Sequence, residues 1–139
     1  MQPSDVEPTE KDNGQTLASL AEALYLMNLL LFPGLAFLLL LFLYFRNRNI
    51  APPLARCHLR QTVAASIWAG VMIVIVNVVI VVLGGYESAS TWMVVILYFV
   101  SIHAFMVFLG ALGLAKAMAG QHYHYLFFGL TCSDEEIND

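Results

Sequence analysis

Thr62–Leu83 reads TVAASIWAGVMIVIVNVVIVVL, and the fold turns on how this stretch is understood. It carries no charge and one strongly polar residue, Asn77, and its outer part, Val71–Val82, is rich in β-branched side chains. In water such a run suggests a strand. Its length argues otherwise, because a helix rising ~1.5 Å per residue crosses a ~30 Å hydrocarbon core in about 20 residues. In lipid an open strand leaves its backbone groups unpaired, whereas a helix pairs them within itself. Gly84-Gly85 ends the run.

Two further apolar runs flank it. Ala23–Phe45 closes on Tyr44, Phe45, Arg46 and Arg48, an aromatic anchor followed by cations. Pro33-Gly34 lies near its middle, so a kink is expected there. Thr16 is a candidate cap for a helix starting upstream, with Ser19 and Glu22 still at its wet end. Thr91 to about Ala115 opens near Trp92, carries Tyr98 and is followed by Lys116, whose stem can snorkel. The predicted fold is an all-α integral membrane protein. It has three transmembrane helices, at about 23–45, 62–83 and 91–115, and a short interfacial segment at 120–130. Together these form a membrane domain over residues 17–130, between a disordered acidic tail at 1–16 and a second acidic tail at 131–139. Residues 1–16 have no basic region or small-residue cleavage site of the kind a cleaved signal peptide carries.

Composition agrees. Of 139 residues, 60% are hydrophobic and 12% charged, against about 25% charged in an ordinary soluble domain. A chain this short cannot bury so much apolar surface in itself. A net charge of −4 excludes a basic nucleic-acid binder and a polybasic membrane-surface protein. Between Ala23 and Ser133 the only acid is Glu87, while residues 46–61 hold Arg46, Arg48, Arg56 and Arg60 and no acid. The positive-inside tendency then puts that loop and the C-terminus in the cytoplasm and the N-terminus outside. Cys57 and Cys132 fall on the cytoplasmic side, so reduced thiols and no disulfide are expected.

Small residues indicate where membrane helices meet. Ala65 with Ala69 and Ser66 with Gly70 share faces of the second span, and Ala111, Ala115 and Ala119, with Gly110 and Gly113, lie in the third. Both groups fall in the cytoplasmic half, which predicts a tight contact between these two spans. The Val/Ile-rich outer half of the second span is left to lipid or a partner subunit.

Chemistry-bearing residues are few. His103 lies halfway along the third span, where an ionisable group suggests a proton relay or a haem ligand. No second His stands at its depth in the second span, and a neutral His bonded to Ser66, Ser101 or a carbonyl is the plainer reading. No cofactor is therefore predicted, with haem b at His103 as the alternative. Asn77 reads as an interhelical hydrogen bond. Asn28 and Glu22 are candidates to line a cavity at the Pro33 kink. His122, His124 and Cys132 look like loose metal ligands but lack the paired spacing of a structural zinc site, and no metal site is predicted. An aromatic stretch at headgroup depth accounts for the two histidines. No nucleophile–base pair, phosphate-binding loop or carboxylate pair is present, so neither catalytic residues nor enzymatic activity is expected.

Two motifs carry a family resemblance. Pro53-Leu-Ala-Arg-Cys-His58-Leu-Arg60-Gln61 resembles the His-x-Lys/Arg-Gln entry to the second helix of small bacterial membrane proteins related to the twenty-kilodalton Tic component of chloroplast import. Lys116-Ala-Met-Ala-Gly120-Gln-His-Tyr123-His124-Tyr125 is similar to that family's Lys-Ala-x-x-Gly-x-x-Tyr-x-Tyr ending. With the proline in the first helix, the match spans roughly residues 19–126. Thr62-Val-Ala-Ala65 departs from the family's Ala-Leu-Asn-Phe run, and Leu126 stands where proline is usual. The resemblance implies a three- or four-helix bundle in a bacterial inner membrane. His58, Arg60, Gln61, Lys116 and Tyr123 share one depth, as a polar cluster tying helix ends together or a lipid-headgroup site. The expected function is a non-catalytic accessory or assembly subunit whose partners are membrane lipid and a larger complex or a second copy. An oligomeric pore or translocation component, and a haem- or quinone-associated electron-transfer subunit, are the alternatives.

Overall fold

The computed structural model describes residues 8–126, helical nearly throughout and without a strand among them. Helix α1 is Pro8–Leu30, α2 is Leu35–Asn47 and α3 is Pro53–Val82. Helix α4, Ala89–Leu97, runs through a π-helical turn at Tyr98–His103 into α5, Ala104–Met118. Two helices are long and apolar enough to cross a membrane, α3 and the continuous Ala89–Met118. They contain most of the second and third expected spans. Pro53 starts α3 at a position where a missing N–H costs nothing, and Gly84 and Gly85, both at positive φ, end its path.

The first expected span is organised differently. Instead of one kinked crossing, residues 23–45 form most of a helical hairpin. Pro33 cannot donate to the helix ladder, and Gly34 takes φ +89°, a conformation L side chains rarely adopt. The Asn28 side chain accepts the Gly34 N–H at 2.9 Å, tying the turn to the end of α1. The chain therefore reverses rather than bends. Leu40 of α2 joins Ala21 of α1 and Leu59 and Val63 of α3 in one buried cluster, with Leu17, Leu24, Leu41 and Tyr44 packed around it. A straight helix would hold Ala21 and Leu40 almost 30 Å apart at ~1.5 Å per residue.

The hairpin acts as a wedge. Helix α1 lies between α3 and α5, which touch each other little while both pack along it. Tyr25 of α1 shares a second buried cluster with Ala65 of α3, Leu109 of α5 and Tyr125 of the tail. The expected close contact between the second and third spans is thus replaced by contacts of each with α1. Ala65 and Ala69 do face inward, but Gly70, Ala111 and Ala115 are exposed. The small residues that matter in α5 are Gly110, against Tyr25 and Leu26, and Gly113, against the Glu22 carboxylate.

Folding back also returns the chain to its starting end. Gly14 packs on Pro52, and the Gln15 amide donates to the Met118 carbonyl. The start of α1, the α2–α3 connection with the arginines in and beside it, and the end of α5 all gather there.

Candidate functional site

The buried polar residues concentrate at that shared end. Gly120, at φ +66°, ends α5, and the Gln121 N–H reaches back to the Lys116 carbonyl at 2.9 Å. The tail then crosses the end of the bundle and inserts Tyr125, 3% exposed, between α1 and α3. Its hydroxyl donates to Glu22 Oε2 at 2.6 Å, and Glu22 Oε1 meets His58 Nδ1 at 2.6 Å. His58 Nε2 lies 3.1 Å from the Gln121 carbonyl oxygen. Glu22 and His58 are both fully buried.

Donor and acceptor capacity defines the state of this cluster. A carbonyl only accepts, so His58 Nε2 carries the hydrogen shared with Gln121. A single proton then lies between His58 Nδ1 and Glu22 Oε1, and the pair is neutral overall whichever atom holds it. Both carboxylate oxygens and both ring nitrogens are engaged. Gln61 extends the network: its Oε1 accepts the Tyr125 N–H at 2.9 Å, and its Nε2 lies 3.4 Å from Cys57 Sγ and 3.3 Å from His124 Nδ1. Tyr25 and Tyr123 stand edge-on to Tyr125, with ring centroids 5.7 and 5.3 Å away. Burial first, and the Glu22 charge second, push the Tyr125 phenol well above its ordinary value, and the same two causes raise Tyr123. The arrangement pins the tail and two helices together.

Of the residues expected in a polar cluster, His58 and Gln61 are at its centre and Tyr123 at its side. Lys116 joins from the rim, donating to Gln121 Oε1 at 2.8 Å, and Arg60 is half-buried on the same part of α3. The sequence left Glu22 at the wet end or in a cavity at the Pro33 kink, whose lining includes Asn28 but not Glu22; it did not single out Tyr25 or Gln121, and Tyr125 entered only through the ending motif. The available signal was spacing: Glu22 and Tyr25 lie three apart, on the α1 face that also carries Ala18 and Ala21.

The residues expected within the membrane lie elsewhere. Asn77 does not bridge helices; it donates to the Ile73 carbonyl at 2.8 Å and accepts the Tyr86 hydroxyl at 2.6 Å on an exposed face. His103 is half-buried beside Phe99, with ring centroids 5.4 Å apart. Among the described residues no His/Cys/Asp/Glu group has the form of a metal site. Cys132, the third member of the loose ligand set, lies outside the described residues. Cys57 is disulfide-bonded, which corrects the expectation of a reduced thiol.

Comparison with known proteins finds no matching family model, no similar curated protein and no similar solved structure. The likeness to the chloroplast-import family rests on the quoted motifs alone.

Proposed function

We propose that this is a membrane-embedded, non-catalytic accessory or assembly subunit that docks a membrane partner with the outer half of α3. The observation that carries this reading is the Asn77–Tyr86 pair. It sits on an exposed surface otherwise formed by Ile73, Val74, Val78, Val81 and Val82, which border a shallow groove of about 420 Å³. Intramembrane polar side chains ordinarily face protein rather than lipid, because hydrocarbon offers no hydrogen-bond partner. A partner helix laid in the groove would cover the pair. The Glu22–His58–Tyr125 cluster fits a non-catalytic role, since its acid and base are consumed by each other and by the tail.

The test is co-purification in mild detergent followed by mass spectrometry, comparing the natural chain with Asn77→Leu. Stoichiometric foreign subunits lost in the variant support the accessory role. A homo-oligomer favours the pore or translocation reading. A monomer for both chains refutes docking at Asn77. Placement in the membrane is checked separately, by resistance to carbonate extraction.

A further inference from the structure

Helices α3 and α4–α5 are parted by the hairpin, whose tip stops short of the turn joining them. The space left is a half-open cavity of about 770 Å³, lined by the hairpin tip, the middle of α3 and the π-helical turn. This volume falls in the range of small-molecule sites.

Three independent features point to an occupant. Ser66, only 5% exposed, lines the cavity, and its hydroxyl has no hydrogen-bond partner among the described residues. A buried hydroxyl left unpaired is costly, so a ligand acceptor there would be stabilised. Next, Tyr98, Phe99 and His103 all reach the cavity from the single π-helical turn in the chain's described helices. Such turns are rare, and they occur frequently at functional sites. Lastly, the lining contains no Asp, Glu, Lys or Arg. Asn28 also lines it, but its oxygen is taken by the Gly34 N–H.

A charged headgroup finds no counterion in this cavity, and a plain acyl chain would leave Ser66 unpaired. A neutral, flat ring fits beside Phe37, Tyr98 and Phe99, and carbonyl oxygens on that ring suit the Ser66 hydroxyl and the imidazole N–H of His103. We propose that the cavity binds a lipophilic quinone, its ring against the π-helical turn and its carbonyls on Ser66 and His103. The proposal rests on the membrane placement above, from which such a ligand would enter, and is independent of the accessory role.

The test uses full-length protein in phosphatidylcholine nanodiscs, with membrane integration established beforehand by carbonate extraction. A failure of placement is thereby distinguished from a failure of binding. Decylubiquinone is titrated by calorimetry, with decylbenzene as an apolar control. Saturable quinone binding is expected, weakened about fivefold by Ser66→Ala and by His103→Leu separately, as loss of one hydrogen bond implies. Gly70→Leu should block binding by filling the cavity, since a Cβ at Gly70 meets nothing within 4 Å. Should that variant fail to fold, the two polar substitutions carry the test. Equal affinity for decylbenzene, unchanged affinity in both polar variants, or a tightly held phospholipid that quinone does not displace would each overturn the proposal.

Discussion

A double-mutant cycle on Glu22 and His58 tests whether the buried cluster holds the fold together. Both side chains are fully buried and 2.6 Å apart. Replacing His58 with Leu leaves Glu22 without its Oε1 partner, and replacing Glu22 with Met strands both His58 Nδ1 and the Tyr125 hydroxyl. Removing one partner of a buried ion pair costs about 3–5 kcal/mol, because the other charge or dipole remains desolvated. Substituting both by apolar residues removes the two desolvated groups together and is often close to neutral. The Tyr125 hydroxyl would still lack its acceptor, so the double variant should lose roughly 1–3 kcal/mol. Adding Tyr125→Phe should recover most of that. Met is compatible with the close approach of α5, since Gly113 leaves room for a long side chain at position 22. The measurement is denaturant unfolding in mixed micelles, followed by circular dichroism, with C-terminal proteolysis as a second readout. The tail should become cleavable in each single variant before the helices unfold. Additive single effects, or a His58→Leu chain as stable as the natural one with its tail protected, would show that the pair is incidental.

Gly113→Ala should destabilise by about 1–3 kcal/mol, since the new Cβ would lie 2.6 Å from Glu22 Oε2. Gly70→Ala, in open space, should be neutral or slightly stabilising in the same assay. The tail should loosen at alkaline pH. Tyr125 ionises less readily when folded, so its stabilisation is complete below the ordinary phenol value of about 10 and falls as pH rises above it. Tail proteolysis between pH 7 and 11 measures this, and Tyr125→Phe should flatten the rise. Tags at the two termini should respond to protease from the same side of the membrane, and opposite responses would refute the hairpin. The side itself is contested by two observations: four arginines at that end favour the cytoplasm, and the disulfide at Cys57 favours an oxidising compartment. The tags decide between them.

Length alone made α3 and the α4–α5 helix legible, because an uninterrupted apolar run has one economical conformation. The hairpin was not legible, since Ala23–Phe45 has the length of a span and its reversal depends on local details. These are the positive φ of Gly34 and one side-chain bond from Asn28, neither of which hydrophobic patterning weighs. The site divides the same way. His58 and Gln61 were found from a motif within one helix, whereas Glu22 was missed because its partners are 36 and 103 residues away. An isolated carboxylate reads as solvent-exposed, and only tertiary structure supplies the imidazole and phenol that make its burial tolerable. The two omissions have one cause. A hairpin entering between two long helices carries the polar start of α1 into the bundle, and Glu22 with it. That insertion is stable only if something neutralises the carboxylate, which His58 and the returning tail do. The hairpin and the cluster are therefore two parts of one structural solution, and breaking either should release the other.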